Sequence, residues 1–434
     1  MFETIKNAFR AKDLRRKIFI TFALILVYRI GCFIPVPGID SAILSEALSG
    51  NSYFTIMSTI TGGSLSNGTL FAMGIGPYIN ASIIVQLLTV AIPKLERLSK
   101  QGEEGRKVIA KITRYVALVL AIAQALGILL NFGNNGAINF KMFDPNTEMR
   151  FLTIAYMTIV YTAGAALTMF IGERITDYGV SNGISLLIFV GILSSAGTAI
   201  INQAKLIGTD TTALWALLAF LAVVVIIFFC IVFVDMAERR VPVQYAKQVK
   251  GRKMYGGQNT VIPIRINANG VMPLIFAFAI LSFPELIANM FWPGQGFAIW
   301  WGTYMGTNSW LYPIVLSLLI LAFAYFYAQI QFNPDDISKS IQQNGGFIPG
   351  IRPGKPTAQH LKRINNRITL FGAIFLALLA LIPTLVFKAV AGEGSTLINA
   401  FSATGMLIIV SVALEFDKQL QSQIMMKNYK GFLK

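Results

Sequence analysis

Ten runs of mainly apolar residues constrain this chain more than anything else in it, because each has roughly the 20-residue length that crosses about 30 Å of hydrocarbon. They fall at approximately 18–36, 72–92, 115–131, 151–172, 183–202, 212–234, 270–291, 310–330, 368–387 and 396–414. Within a bilayer the backbone must satisfy its own hydrogen bonds, so such runs fold as α-helices. The expected fold is therefore an all-α polytopic membrane protein of ten transmembrane helices. Composition agrees, with 55% of the 434 residues hydrophobic and 13% charged, far from the globular average. The N-terminal MFETIKNAFRAKDLRRK lacks a small-residue cleavage site, and the run after it exceeds a signal peptide's apolar core. The first span is expected to remain in the mature protein.

Orientation follows from Lys and Arg, which cytoplasmic loops retain. With the N-terminus inside, 31 of the 36 basic residues fall in inside segments and only Lys141, Arg150, Lys205 and Lys388 fall outside. Both ends are thus expected in the cytoplasm. The one left over, Arg29, lies within the first span. The net charge of +16 gathers in large cytoplasmic patches that could meet anionic lipid, nucleic acid or an acidic protein. Orientation bias alone explains the same patches equally well.

Ten spans divide into two sets of five, an N-terminal half at 1–205 and a C-terminal half at 206–434, with a hinge expected between Asn202 and Thr212. An odd number per half reverses the direction of entry, the arithmetic of an inverted repeat. The C-terminal half carries two large cytoplasmic loops, about 235–269 and 331–367.

Several chemistries are disfavoured. The stretch GGFIPGIRPGKPT (345–357) has a Gly-Lys pair, but Pro349 stands where a phosphate loop needs its first glycine and Pro356 where it needs Ser or Thr. Cys32 and Cys230 both lie in apolar runs, which suggests neither a disulfide framework nor a thiolate metal site. His360 is the single histidine, and no HExxH motif occurs. Glu285 is the one acid well inside a span region. Ion-coupled transporters keep acids near the midplane, so their lack counts against that class. No cofactor or metal is expected, and no enzymatic activity.

Three features fit a plain helix bundle poorly. Residues 52–69, SYFTIMSTITGGSLSNGT, are too short and polar to cross yet too apolar for an ordinary loop. They read either as a re-entrant piece lining a cavity or as an external surface loop. Ile75 and Ile79, and Ile184 and Ile188, stand one helical turn apart beside small or polar residues, so each pair shares a face. On their own they read far more readily as ordinary lipid-facing or packing residues. Amides occur at Asn80, Gln86 and Gln124 within spans and at Asn267 just before the seventh. Each is expected at least to join helices, at about 1 kcal/mol per contact.

Five stretches carry a resemblance over essentially the whole chain: RIGCFIPVPGID (29–40), FAMGIGPYINASIIVQLLT (71–89), GERITDYGVSNGISLLIF (172–189), KGRKMYGGQNTVIPIRINANGVMPLIFA (250–277) and GGFIPGIRPGKPTAQHL (345–361). In this order and on these sides of ten spans, they resemble the SecY family, the central subunits of bacterial protein-conducting channels. The resemblance implies two pseudo-symmetric halves around an hourglass pore that hinges between spans five and six. It would open sideways between spans two, three, seven and eight. By carry-over, an apolar collar comprises Ile75, Ile79, Ile184, Ile188, Ile275 and Ile408, with Ile409 competing with Ile408 to face the pore. An apolar collar dewets when empty and gives a passing chain no fixed hydrogen-bond partner.

The resemblance also makes residues about 56–67, including Ile56, Thr61, Gly62, Gly63, Ser64, Leu65 and Asn67, a plug on the outer side. The glycines and serines suggest a piece that can leave without losing much packing. Gln86, Gln124 and Asn267 match polar positions of a lateral gate that signal peptides enter. Arg252, Lys253 and Arg352 match a docking surface for the SecA motor ATPase and the ribosome, where ribosomal RNA phosphates are also within reach. The implied partners further include SecE and SecG, nascent or precursor polypeptides and membrane lipids. The implied location is the bacterial plasma membrane. The competing reading is a ten-span transporter of small solutes, which leaves the basic cytoplasmic loops unexplained.

Overall fold

The computed structural model describes residues 9, 11–49, 52–134, 136–141, 148–206, 211–245, 248–250, 253–255, 259–266, 272–291, 296–306, 309, 311–391 and 403–431. Its helices are α1 (Lys12–Gly31), α2 (Ser41–Ser49), α3 (Ser52–Ile60), α4 (Gly76–Ala91), α5 (Pro93–Ser99), α6 (Glu103–Asn134), α7 (Arg150–Tyr178), α8 (Gly183–Leu206), α9 (Thr211–Met236), α10 (Met272–Phe291), α11 (Gly296–Met305), α12 (Leu311–Gln331), α13 (Pro334–Gln343), α14 (Lys355–Ala391) and α15 (Ala403–Gly431). Each of the ten expected spans has its helix. By length and apolarity alone five stretches among the described residues suffice to cross a membrane, or six if the bent pair α4–α5 is one span. The bend of 106° has a local cause. Pro93 cannot continue the backbone ladder, and Ile92 before it is extended, with φ −105° and ψ 114°.

Several helices outrun their apolar cores. Helix α6 begins at Glu103 and α14 at Lys355, each about a dozen residues before the expected span. Glu103 and Glu104 sit in the first turn of α6, where carboxylates complement the positive helix terminus. Hydropathy marks only the part in hydrocarbon, whereas these helices continue into water.

The chain packs as two units. The first comprises residues 1–217, 279–310 and 391–434, and the second 218–278 and 311–390. In the first unit, α4 packs along α6, α6 along α7, and α7 along α8. An ion pair from Arg114 Nε to Glu173 Oε1, 2.5 Å, also links α6 to α7. Helix α15 joins this unit by packing on α8. Leu420 of α15 is buried with Ile18 of α1 and Val180 before α8.

The second unit holds a feature that hydropathy missed, a small antiparallel sheet in the order β4-β1-β5. Its strands are β1 (Glu238–Tyr245), β4 (Asn259–Arg265) and β5 (Gly346–Phe347), while β2 (Gln248–Lys250) and β3 (Lys253–Tyr255) form a separate hairpin. Val241 and Val243 are buried on one face of β1 with Pro242 exposed between them, the period-two pattern of a half-buried strand.

Candidate functional site

The segment between α2 and α4 folds as α3 and then as consecutive turns through Ile75. It is packed more tightly than its glycines and serines suggest. Phe54 and Leu65 are 3% and 1% exposed and enter the core formed with Ala121, Leu129 and Phe132 of α6 and Tyr161 of α7. Thr61 and Ser64 are also buried, with hydroxyls satisfied locally: Thr61 Oγ1 donates to the Met57 carbonyl at 3.0 Å, and Ser64 Oγ to the Thr61 carbonyl at 2.9 Å. Asn67 is exposed, and Ile56 lies in α3 with its side chain outside the described residues.

Between these anchors residues 59–62 rest on one face of α8. Ser195 Oγ donates to the Thr59 carbonyl at 2.9 Å. Gly191 leaves room for the Ile60 carbonyl, where any Cβ would collide. Gly62 has φ +71°, and a Cβ there would stand 2.7 Å from Arg29 Nη1 and 3.1 Å from the Gly191 carbonyl. Only glycine fits both the backbone and the space. Gly63 follows with φ +84°.

Helix α1 and the chain that follows it hold the same segment as well. Arg29 Nη2 donates to Ser194 Oγ at 2.6 Å. Past the helix end, the Leu70 N–H donates to the Ile34 carbonyl at 2.9 Å and the Val36 N–H to the Gly68 carbonyl at 3.0 Å. Tyr28 stacks on Phe71 with ring centroids 5.6 Å apart. Arg29, Gly191, Ser194 and Ser195 escaped the sequence reading of this site. The available signals were an arginine inside a span and a Gly-x-x-Ser-Ser face in the fifth.

Of the collar candidates, Ile75 caps the start of α4 and Ile79 lies one turn on, its N–H bonded to the Ile75 carbonyl at 3.0 Å. Ile184 and Ile188 occupy the first turns of α8, with Ile184 against Gly172 of α7. Ile408 is 5% exposed and Ile409 half-buried on α15, the helix that packs on α8. These six positions belong to the first unit. Ile275 is half-buried on α10 in the second unit.

Gln86 and Gln124 lie on the neighbouring helices α4 and α6. Gln124 is 3% exposed, and neither end of its amide has a hydrogen-bond partner among the described residues. Such a group costs about 1–3 kcal/mol. Gln86 is half-buried and engaged. Asn267 lies outside the described residues.

Arg352 is exposed on a braced turn of the second unit. Its carbonyl accepts from Thr357 Oγ1 at 2.9 Å, and Ser338 Oγ of α13 donates to the Gly354 carbonyl at 2.7 Å. Gly350 and Gly354, at φ +82° and +93°, turn the chain on either side. Beneath lies a core of Val241, Val243, Ile264, Ile341, Ile348 and Leu361, joining sheet, α13 and the base of α14. A guanidinium on so braced a support suits bidentate contact with carboxylate or phosphate. Lys253 begins β3 opposite Lys250, and Arg252, the residue before it, lies outside the described residues.

Comparison with known proteins gives matches over nearly the whole chain. A family model described as SecY matches residues 69–416. The chain is 40% identical over 451 residues to the protein translocase subunit SecY of Mycobacterium tuberculosis, covering 100% of both chains. Among solved structures it is similar to one of SecY reported for a plug domain that stabilises the closed state of the translocation channel and maintains a membrane seal. The TM-score is 0.64 at 19% identity, covering 94% of this chain and 92% of that one. It is also similar to Sec61 in a canine ribosome-channel complex of the endoplasmic reticulum, with a TM-score of 0.63 at 19% identity and the same coverage. At these identities the structures speak for the fold.

Proposed function

The chain belongs to the SecY family, and from that premise we propose that it is the pore subunit of a protein-conducting channel in a bacterial plasma membrane, with both termini cytoplasmic. It passes unfolded secretory proteins across and releases signal sequences and transmembrane segments sideways into lipid. It performs no catalysis itself: the SecA ATPase or a translating ribosome drives transport, and SecE and SecG complete the channel. The halves 1–205 and 206–434 hinge between α8 and α9 around an hourglass pore.

The observation that carries this reading is the segment 52–69, too short and polar to span, folded against the helix that bears two of the collar isoleucines. Ile75, Ile79, Ile184, Ile188, Ile275 and Ile408 form the collar, and residues 56–67 stopper its outer side. Gln86, Gln124 and Asn267 line the lateral gate. The orphaned amide of Gln124 supports that role, because a helix contact carrying an unmet polar group is easier to exchange for a signal helix. Arg352, Arg252 and Lys253 dock the motor or ribosome, as the ribosome-bound relative and the braced, exposed Arg352 support.

The test uses a channel with Cys32 and Cys230 replaced by Ser and with Ile275→Cys. A motor-arrested precursor bearing one cysteine should form a disulfide at 275 only when its cysteine reaches the collar. Absence of any disulfide under working export would move the constriction elsewhere.

A further inference from the structure

Arg29 has no place in the function so far, yet it is a cation inside a span, and such groups are costly unless they serve a purpose. No carboxylate lies within ion-pair range of it among the described residues. Its charge is held by two contacts, and one of its donors by none. Nη2 donates to Ser194 Oγ at 2.6 Å, the guanidinium lies over the Phe33 ring at 5.4 Å, and Nη1 is buried with no acceptor. Nη1 abuts Gly62, at the turn where the plug leaves α3. One side chain on α1 thus touches α8 and the plug together.

We propose that Arg29 is the catch of the plug, a positioning residue that holds α1, the α8 face at 191–195 and the Gly62 turn in one closed arrangement. The catch is built to release. While the plug is seated, the guanidinium has only a hydroxyl and a ring to compensate its desolvation. Once residues 59–62 lift away, water reaches Nη1 and the unmet donor is satisfied, so part of the cost of opening is returned. Lysine cannot reproduce this, because an ammonium lacks the planar fork that spans Ser194 and the turn.

This inference rests on the plug reading, and the experiment separates the two. Arg29→Gln, Arg29→Lys, Ser194→Ala and Gly62→Ala channels would be purified with their partner subunits, and idle ion conductance measured in planar bilayers. Export of a precursor with a defective signal sequence would be measured alongside. Arg29→Gln should raise idle conductance about tenfold, the population change that one hydrogen bond to a charged group is worth. It should also admit the defective precursor. Arg29→Lys should fall short of rescue, Ser194→Ala should shift the same way by less, and Gly62→Ala should leak by displacing the turn. If Arg29→Gln fails to assemble, Ser194→Ala and Gly62→Ala decide: sealed channels with unchanged signal stringency overturn the proposal. A disulfide between Thr59→Cys and Ser195→Cys serves as control. Blocked export there with a sealed Arg29→Gln channel refutes the catch and keeps the plug, whereas export through the oxidised pair refutes both.

Discussion

Two glycine-rich turn segments, 61–76 and 345–354, use the same backbone device for opposite ends. Both bend through positive-φ glycines: Gly62, Gly63, Gly68 and Gly74 in one, Gly345, Gly350 and Gly354 in the other. In the first, glycine is also a matter of space. A Cβ at Gly62, Gly68 or Gly74 would stand 2.7 Å from Arg29, Ile39 or Thr61 respectively. In the second, Gly345 and Gly350 have nothing within 4 Å. The buried turn is shaped by what it rests on, whereas the projecting one is crowded at Gly346, against Tyr245 and Ile341, and at Gly345 and Gly350 answers only to where its own chain must go. That difference suits a stopper that must fit its seat and a turn that must be reached by a partner.

The comparison is broken most completely at its exposed end. Arg352→Glu should abolish motor-driven export while leaving a normally inserted protein, measured by ATP-dependent precursor uptake into vesicles; undiminished uptake would remove the docking role. Next in size, Leu361→Ala should destabilise the core beneath Arg352 by about 2–5 kcal/mol, since it deletes a fully buried leucine. Limited proteolysis of the 331–367 region should then speed up, with no change in idle conductance. A rise in leak instead would contradict the separation of the two segments.

A matched pair sharpens the contrast further. Gly350→Ala should cost only the left-handed backbone penalty of about 1–2 kcal/mol. Gly68→Ala bears that plus roughly 1–3 kcal/mol of overpacking against Ile39 and Leu44. Thermal unfolding of both variants in detergent should separate them, and equal losses would mean the buried turn is looser than its contacts. The smallest effect is expected of Gln124→Leu, which removes an unmet buried amide and should strengthen the packing around α6 by about 1 kcal/mol. Its readout is a narrowed range of accepted signal sequences.

How much of this was legible depends on which physical signal each part leaves in sequence. Spans are legible because hydrocarbon demands length and apolarity together, and each expected run has its helix. The extensions of α6 and α14 are not, because a helix in water has no hydropathy mark. The β4-β1-β5 sheet was missed because its strands are set among basic residues and one of them is only two residues long, although the alternation of Val241 and Val243 hinted at β1. Residues 52–69 were readable as a misfit, too apolar for a loop and too short to cross, whereas the plug role proposed for them comes from the family resemblance. Their seat was not readable, because Arg29 and Ser194 lie 165 residues apart and only the packing of α1 and α8 brings them together. Ile75 with Ile79, and Ile184 with Ile188, were readable as shared faces from their spacing, whereas the collar role proposed for them comes from the family resemblance alone.

The central claim is that transport requires the plug to leave the α8 face. With Cys32 and Cys230 replaced by Ser, cysteines would be placed by Thr59→Cys and Ser195→Cys, where Ser195 Oγ now meets the Thr59 carbonyl at 2.9 Å. Oxidation should halt precursor export and a reductant should restore it, with insertion and partner assembly unchanged. Export that continues at full rate through the oxidised channel would show that chains pass without moving this segment, and would contradict the account.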